Sequence, residues 1–308
     1  MPATCGASGH DDCCTSLVVP GGAYFRGYDV AGDGNGGTTE APATVSAFEL
    51  DKFEVTVGRY RAFVAAGAGT QAHPPAAGAG AHAAIPNSGW DPTWNAQLPA
   101  DRDAQLAALA CNSTLEPLAT WTDAPGANEN RPVTCLSWYD AMAFCAWDGG
   151  FVPSEAEWNF AAAGGDEQRA YPWSSPPGDL TIDPAHASYA DADGRCMADG
   201  QPTCTPADLR PVGSAPAGDG RWGHADLAGN AAEWTLDALR SKYITPCTDC
   251  ADLSAIDLRV ERGGAAVTFA TSARTGARIP RAAARRESVI GVRCARDVSG
   301  GSHRNSDI

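Results

Sequence analysis

Long apolar runs are missing from this 308-residue sequence. No stretch approaches the roughly 20 apolar residues that a membrane-spanning helix needs, so we expect no membrane span. Basic residues are also scarce, because 22 Lys and Arg stand against 37 Asp and Glu, for a formal charge of −15. Nucleic-acid binding needs a basic face. The balance therefore argues against nucleic acid as a partner and suits either cation binding or solubility alone.

Familiar catalytic patterns are absent as well. The sequence has no Ser-His-Asp arrangement, nucleophile elbow or zinc-protease motif, and no internal repeat. It also lacks the alternating β-α-β order of doubly wound and barrel folds. With 34 Gly and 22 Pro, the sequence predicts an α+β fold of short elements in which loops dominate.

Cysteine, in contrast, is abundant. Eleven cysteines are too many for a typical reduced cytosolic domain and indicate an oxidising compartment. Their odd number leaves one thiol without a partner in the chain. The N-terminal residues do not form a charged and apolar signal segment. We therefore expect an exported protein, periplasmic or extracellular, whose signal segment has been removed from the sequence.

The composition changes along the chain suggest a simple organisation. Residues 1–16 are small and polar and predict an N-terminal tether, and residues 17–297 predict a single domain. Residues 298–308 predict a disordered C-terminal tail. A low-order insertion at about 67–130 carries three tryptophans, which we expect to fold it back onto the domain. Its histidines, His73 and His82, are interpreted as ordinary polar loop residues.

Three helices and a late strand can be placed with some detail. Val57–Ala66 predicts a short helix, and a second helix begins near Ser137 and stops at Gly149. A third begins with Ser154 and Glu157, which have the spacing of a capping box. The run V-I-G-V-R-C-A-R at 289–296 predicts a final strand.

The run G-H-A-D-L-A-G-N-A-A-E-W at 223–234 stands out, together with its echo R-G-G at 262–264. It is too polar and too interrupted by glycine for an ordinary helix or strand, so we expect a loop. Glycine lets the backbone turn toward a ligand, and Asp226 and Glu233 supply hard oxygen ligands. The alternative is a loop that closes the core and carries two solvated acids.

Seven short motifs occur in a fixed order along the chain. They comprise P-V-T-C-L-S-W-Y-D-A-M-A-F-C-A-W, V-P-S-E-A-E-W-N-F-A-A-A-G-G, Y-P-W, V-G-S, D-L-A-G-N-A-A-E-W, R-V-E-R-G-G and G-V-R-C-A-R. The chain resembles the formylglycine-generating-enzyme (sulfatase-modifying factor) family from about Leu17 to Arg296. The resemblance implies a C-type-lectin-like core with little regular secondary structure.

The resemblance also implies which chemistry is missing. In formylglycine-generating enzymes two cysteines follow the R-G-G motif, bind copper(I) and oxidise a substrate cysteine with oxygen. Two thiolates suit that soft ion. Their positions here hold Thr268 and Ala273, and Ala265 replaces the serine that follows R-G-G. Ergothioneine-synthase relatives hold iron(II) through three histidines, largely from a helical bundle, whereas the six histidines here are scattered. Neither copper nor iron is expected.

Calcium is the cofactor that the resemblance carries over. In the family, a loop of this type binds Ca²⁺ through one side-chain oxygen, two carbonyls and a glutamate, which correspond to Asp226, Gly229, Ala231 and Glu233. Oxygen ligands of this kind are those that the ion prefers.

A second family site lies between the Y-P-W and V-G-S motifs. The sequence departs from the family pattern there, but Asp191 and Asp193 in D-A-D-G are candidate ligands. The alternative for D-A-D-G is an ordinary Asx turn.

Six cysteines can be assigned to pairs. The family implies a disulfide between Cys145 and Cys294. The spacing suggests local bridges between Cys196 and Cys204 and between Cys247 and Cys250, or else a zinc site formed by these four. The odd thiol is one of the remaining five: Cys5, Cys13, Cys14, Cys111 and Cys135.

Two classes of function remain open. In the first, the chain is a binding, interaction or structural module for an unidentified protein, peptide or small molecule. Retroelement-diversified receptors use this fold and place variable residues after R-G-G, which here correspond to Val267, Thr268, Phe269, Thr271 and Ser272. In the second, the chain is an exported metal-dependent oxidoreductase acting on a peptide or small metabolite. Copper or iron in the purified protein favours the second.

Overall fold

Short helices joined by long loops make up the chain, as the sequence predicts. The computed structural model describes residues 4–28, 30–32, 41–111, 118–199 and 201–298. That part of the chain contains four α-helices, namely α1 (Val57–Ala65), α2 (Arg102–Leu109), α3 (Trp138–Trp147) and α4 (Glu155–Ala162).

Twelve short strands occur in the same residues. They are β1 (Thr4–Cys5), β2 (Asp11–Asp12), β3 (Ser16–Val19), β4 (Gly22–Phe25), β5 (Pro42–Val45), β6 (Phe48–Asp51), β7 (Ala232–Ala238), β8 (Cys247–Thr248), β9 (Leu258–Arg262), β10 (Ile279–Ala282), β11 (Ile290–Gly291) and β12 (Ala295–Asp297). They form four small sheets, ordered β10-β9-β7-β11, β12-β6-β3, β4-β5-β8 and β1-β2.

The first of these sheets positions the two glycine motifs. Strands β7 and β9 are antiparallel, with Glu233 opposite Arg262. Strand β11 runs parallel to β7 and places Gly291 beside Glu233. The sheet therefore brings together three motifs that are far apart in the sequence.

Local sequence determines where α3 and α4 begin. Ser137 accepts a hydrogen bond from the backbone of Asp140, whose carboxylate accepts one from the backbone of Ser137. Ser154 and Glu157 make the same reciprocal pair. Each capping box satisfies two backbone N–H groups that have no partner within the helix. The predicted starts of both helices are confirmed.

An aromatic core lies between α1 and α3. The rings of Tyr60, Phe63 and Phe144 are mutually in contact, with centroids 5.1 to 5.5 Å apart. Trp138 and Trp234 are also fully buried. Burial of each such side chain stabilises the fold by about 1.5–3 kcal/mol.

The insertion at 67–130 packs against this core through its tryptophans. Trp90 is buried, and Trp94 packs edge-on against Trp138 of α3 with their centroids 5.0 Å apart. The Arg61 guanidinium of α1 lies 4.4 Å from the ring centre of Trp121. The tryptophans therefore hold the insertion against the domain, as the sequence predicts.

His82 differs from its interpretation as an ordinary loop residue. Its side chain is buried, and Nε2 lies 2.9 Å from Oε1 of Glu157 in α4. Burial lowers the pKa of His82, but the hydrogen bond to Glu157 and the negative charges of Glu157, Asp297 and Asp249 together raise that pKa above its usual value. The imidazole thus connects the insertion to a helix of the core.

Residues 4–16 are also more ordered than the expected tether. Strands β1 and β2 form a hairpin that a disulfide closes between Cys5 and Cys13. The two half-cystines are buried against Phe53, Val212 and Ala225. Because the bridge is apolar and finds an apolar partner surface, this segment joins the core.

Two predictions about the late strands need correction. The run at 223–234 is not all loop, because its last three residues begin β7, and every residue of that strand is buried. The run at 289–296 is two strands, since β11 pairs with β7 and β12 pairs with β6 in another sheet. The chain changes sheets between them.

No helix within the described ranges is long and apolar enough to cross a membrane. The tail expected at 298–308 lies, apart from Val298, outside the described residues.

Candidate functional site

The two glycine motifs are joined through their backbones. Gly229 N donates to Gly263 O at 2.8 Å, and Ala266 N donates to Asn230 O at 2.9 Å. Gly229 has φ +78°, and a Cβ there would lie 2.2 Å from Ser188 O. Only glycine fits this left-handed and closely packed position. The run at 223–234 and the R-G-G motif therefore form one structural unit.

Arg262 of the R-G-G motif anchors the segment that follows it. Its buried guanidinium forms an ion pair with Glu155, the first residue of α4. It also donates to the carbonyls of Thr275 and Ala277, each at 2.7 Å. Arg262 thus ties the far end of the segment to strand β9 and to the start of α4.

The segment brings the two thiol positions of the enzymes close together. Gly264 has φ +66°, and a Cβ there would lie 2.8 Å from Thr268 Oγ1 and 3.0 Å from Ala273 N. The Thr268 hydroxyl accepts from Ala265 N at 2.8 Å and donates to Ala265 O at 3.0 Å. One position therefore holds a hydroxyl that closes its own turn, and the other holds a methyl group.

A disulfide packs directly against this segment. Cys196 and Cys204 are bonded to each other, and Cys196 Sγ lies 3.2 Å from Ala266 O. Ala190 N donates to Thr268 O at 2.8 Å. The sulfur that contacts this segment is thus held in a bridge and is not a thiolate ligand.

The outer side of the segment is aromatic. Phe269 is 55% exposed, whereas Val267, Thr268, Thr271 and Ser272 are partly exposed. The five predicted contact residues therefore all have accessible surface.

A stack of three rings contacts the backbone of Ala270, the residue after Phe269. Tyr171 and Trp173 are parallel with centroids 5.0 Å apart, and His186 stacks on Trp173 at 5.0 Å. The Tyr171 hydroxyl donates to Ala270 O at 3.0 Å, which places the stack next to the segment. We call Phe269 with these three rings the aromatic face.

The first expected calcium site uses its acids differently. Glu233 accepts hydrogen bonds from Arg293 on both carboxylate oxygens, at 2.7 to 2.9 Å, and from Trp158 Nε1 at 2.6 Å. Asp226 accepts from Gly213 N at 2.5 Å. Because a guanidinium already neutralises Glu233 and would repel a cation, the side chains of this loop fit Ca²⁺ poorly.

Asp226 and Glu233 belong to a buried charged cluster with Glu54 and Arg293. The sequence analysis did not identify Glu54 and Arg293. Glu54 accepts from Ala231 N at 2.8 Å and from Asn230 Nδ2 at 2.7 Å, and Arg293 is the partner of Glu233. Each stands as a single charge between apolar neighbours, in F-E-V and V-R-C. A lone charge in such a run is a usable signal of a buried pair.

The acids of this cluster outnumber its arginine. Burial, reinforced by the charges of Asp226 and Glu233, raises the pKa of Glu54 well above its usual value. Burial raises the pKa of Asp226 to about 6. Excess negative charge in the cluster is therefore relieved readily by protonation.

The second expected calcium site has the geometry of the Asx turn considered as its alternative. Asp191 Oδ1 accepts from Asp193 N and Arg195 N, both at 2.9 Å. The Arg195 guanidinium lies 3.1 Å from Asp193 Oδ2 and 3.7 Å from Asp191 Oδ2. These contacts engage both acids without an ion.

One other group of potential ligands was found within the described ranges, and it does not suit a metal. It consists of Asp51, Asp148 and Cys294. Cys294 is disulfide-bonded, and Arg59 and Arg296 each bridge the two acids. The cluster is therefore a buried ion-pair network.

The cysteines pair as the sequence analysis expects where it assigns partners. The structure joins Cys145 to Cys294, Cys196 to Cys204 and Cys247 to Cys250. Cys111 pairs with Cys135, and Cys14 is the exposed free thiol. The zinc alternative for the four later cysteines is thereby excluded in this oxidised form.

Relatives of known name share the sequence over most of its length. The chain is 29% identical over 252 residues to the inactive C-alpha-formylglycine-generating enzyme 2 of Mus musculus, which covers 74% of this chain and 70% of that protein. It is 28% identical over 301 residues to the formylglycine-generating enzyme of Streptomyces coelicolor, with 91% and 88% covered. It is 28% identical over 306 residues to the hercynine oxygenase of Mycolicibacterium smegmatis, with 92% of this chain but 61% of that enzyme covered.

Solved structures share the fold. PvdO from Pseudomonas aeruginosa superposes with a TM-score of 0.61 at 21% identity, covering 97% of this chain and 99% of that one. Treponema denticola variable protein 1 superposes with a TM-score of 0.57 at 19% identity, covering 92% and 94%. A profile of the sulfatase-modifying factor enzyme 1-like domain matches residues 3–298. The chain belongs to this formylglycine-generating-enzyme-like family.

Proposed function

We propose that this chain is an exported, non-catalytic member of the family that binds a protein or peptide partner. The observation that carries the proposal is the replacement of the two thiols by Thr268 and Ala273, whose positions still surround Gly264. Copper(I) needs soft sulfur ligands, and Cys196, whose sulfur contacts Ala266 in this segment, is bonded to Cys204. A relative that is itself named inactive supports the same reading of the family.

The aromatic face is the proposed binding surface. Phe269 is the most exposed large apolar side chain of the described residues, and the stacked rings contact the backbone of the next residue, Ala270. Aromatic side chains provide large contact area with little loss of conformational entropy and dominate many interfaces. Val267, Thr268, Thr271 and Ser272 would form the edge of this contact.

Export is supported by the cysteines. Ten of the eleven are paired in disulfides, and disulfides persist in oxidising compartments. Calcium binding stays a prediction that the donor arrangement around Glu233 does not favour.

Oxygen consumption tests the non-catalytic part. The purified protein is supplied with copper(I), oxygen and a cysteine-containing peptide, with the Streptomyces coelicolor enzyme as positive control. We expect oxygen uptake at the background rate and no loss of peptide thiol. Uptake that depends on this protein and matches the thiol lost would show an oxidase and overturn the proposal.

Substitution of Phe269 tests the binding part. A partner captured from the exported protein fraction of the source cells should be retained by the wild type and by Val18→Ser, and lost by Phe269→Ser. Val18 is a suitable control because it is 51% exposed but lies on β3, in the β12-β6-β3 sheet, whereas Phe269 lies in none of the named strands. Equal retention by all three proteins would exclude the aromatic face.

A further inference from the structure

A cleft lies at the opposite end of β9 from the R-G-G motif. Its volume is about 750 Å³, within the range of small-molecule sites. The insertion contributes Ile85 and Trp94 to the lining, and the almost fully buried Trp138 and Leu236 also line the cleft. The segment that carries the Cys247–Cys250 bridge lines it as well.

One cation lines this cleft. Arg259, on β9, is 93% buried, since only 7% of its surface is exposed. Its guanidinium carbon lies 4.1 Å from the ring centre of Trp138. Stacking on an aromatic face holds a guanidinium in a fixed orientation.

The guanidinium has few partners. Within the described part of the chain it makes one hydrogen bond, from Nη1 to Leu236 O at 3.4 Å, and it enters no ion pair. Its Nε is buried without a partner there. Of the five N–H donors, one has a weak acceptor within the protein, and the buried Nε has none, although buried donors are almost always satisfied.

The acids around Arg259 are engaged elsewhere. Asp237 accepts from the backbone of Glu155 and Asp252, and Asp252 pairs with Arg240. At the edge of the cleft, Asp249 accepts two hydrogen bonds from Ser46. The remaining edge acid, Asp91, caps Thr93 N. Asp257, the other acid near the guanidinium, forms no ion pair with it in the described part of the chain.

We propose that this cleft binds a small organic carboxylate with an apolar or aromatic body, whose carboxylate pairs with Arg259 and whose body packs against Trp94 and Trp138. A carboxylate supplies the acceptors that the guanidinium lacks, in the fork geometry that arginine matches. The apolar lining accommodates the remainder of such a molecule. This inference concerns a different surface from the aromatic face and does not depend on it.

Calorimetric titration with matched probes tests the proposal. The probes are indole-3-propionate, its neutral amide, and the tripeptide Gly-Gly-Phe with a free or an amidated C-terminus. We expect each carboxylate to bind about 10-fold or more tightly than its amide, as for a hydrogen bond to a charged group. Tighter binding of indole-3-propionate than of the tripeptide assigns the site to small molecules. Tighter binding of the tripeptide with a free C-terminus assigns it to peptide C-termini. Equal binding of acids and amides, or no binding at millimolar concentration, would overturn the proposal.

Four variants localise the effect. Arg259→Gln should bring the acid-to-amide ratio to about 1, whereas Arg259→Lys should keep part of it. Ala251→Phe, which leaves the guanidinium in place, should fill the cleft and weaken both probes if Arg259→Gln does not fold. Arg285→Gln is the control, because that arginine is exposed and pairs with Glu287. A loss as large in Arg285→Gln as in Arg259→Gln would also reject the site.

Discussion

The buried charged residues of this protein differ in whether they have a charged partner. Glu233 and Arg293 neutralise each other in the core, whereas Asp237 is buried with backbone donors only. The lone charge of Arg293 in V-R-C signals a buried pair, but its partner could not be anticipated, because residues that lie 60 positions apart leave no periodic pattern. The exchange of two thiols for Thr268 and Ala273 was visible at once, since the R-G-G motif fixes the spacing.

Asp237 should make stability depend on pH. Burial raises its pKa from 3.8 to about 7, so the folded state holds the proton more tightly and stability falls as pH rises from about 4 to 7. Asp237→Asn removes this dependence. Relative to the wild type, the variant should gain about 2–3 kcal/mol between pH 5 and pH 8, measured by urea unfolding. The exposed Asp103→Asn is the control, and a pH-independent difference for Asp237→Asn would contradict the assignment.

Helices were easier to anticipate than strands. The starts of α3 and α4 followed from capping boxes, which are local. Strand β7, with the sequence A-E-W-T-L-D-A, does alternate apolar and polar residues, but it was missed because its first three residues were assigned to the glycine-rich run before it. The alternation would suggest one solvated face, whereas Glu233, Thr235 and Asp237 are all buried. The hairpin at residues 4–12 was missed because a disulfide, and not a pattern, holds it.

Two disulfides offer a matched test of how the elements are held. Cys145–Cys294 joins α3 to the end of the chain across 149 positions, whereas Cys247–Cys250 spans 3. In the chain-entropy description, their removal costs about 5 and about 2 kcal/mol respectively. Urea unfolding of Cys145→Ala/Cys294→Ala should therefore show the larger loss relative to Cys247→Ala/Cys250→Ala. Equal losses would mean that loop closure does not govern their contributions.

For the protein as a whole, the family and the loop-rich α+β fold were predictable because ordered motifs extend along most of the chain. The ion pairs of the acids in the two expected calcium sites were not predictable, because they depend on Arg293 reaching Glu233 and on Arg195 reaching Asp193. The resemblance implies calcium, whereas the contacts show arginines and backbone donors at the same carboxylates. The excess acid of the cluster is accommodated by raised pKa values.

Thermal unfolding with and without calcium distinguishes these possibilities. A site with a Kd near 10 μM would stabilise the fold by about 2.7 kcal/mol at about 1 mM Ca²⁺ and raise the Tm by several degrees. We expect no shift in the Tm, because the ion pair with Arg293 already neutralises the Glu233 carboxylate. A rise that EGTA reverses and that Asp226→Asn abolishes would establish the calcium site.

The central claim is that the segment after R-G-G brings together the two positions that hold thiols in the enzymes but carries Thr268 and Ala273 there. Anaerobic copper(I) titration against a competing chromogenic chelator tests it most directly, comparing the wild type with Thr268→Cys/Ala273→Cys and the control Thr268→Ser/Ala273→Ser. Because both positions surround Gly264, the cysteine variant should bind one copper(I) per chain, while the wild type and the serine variant take none from the chelator. Stoichiometric copper(I) binding by the wild type would contradict the claim.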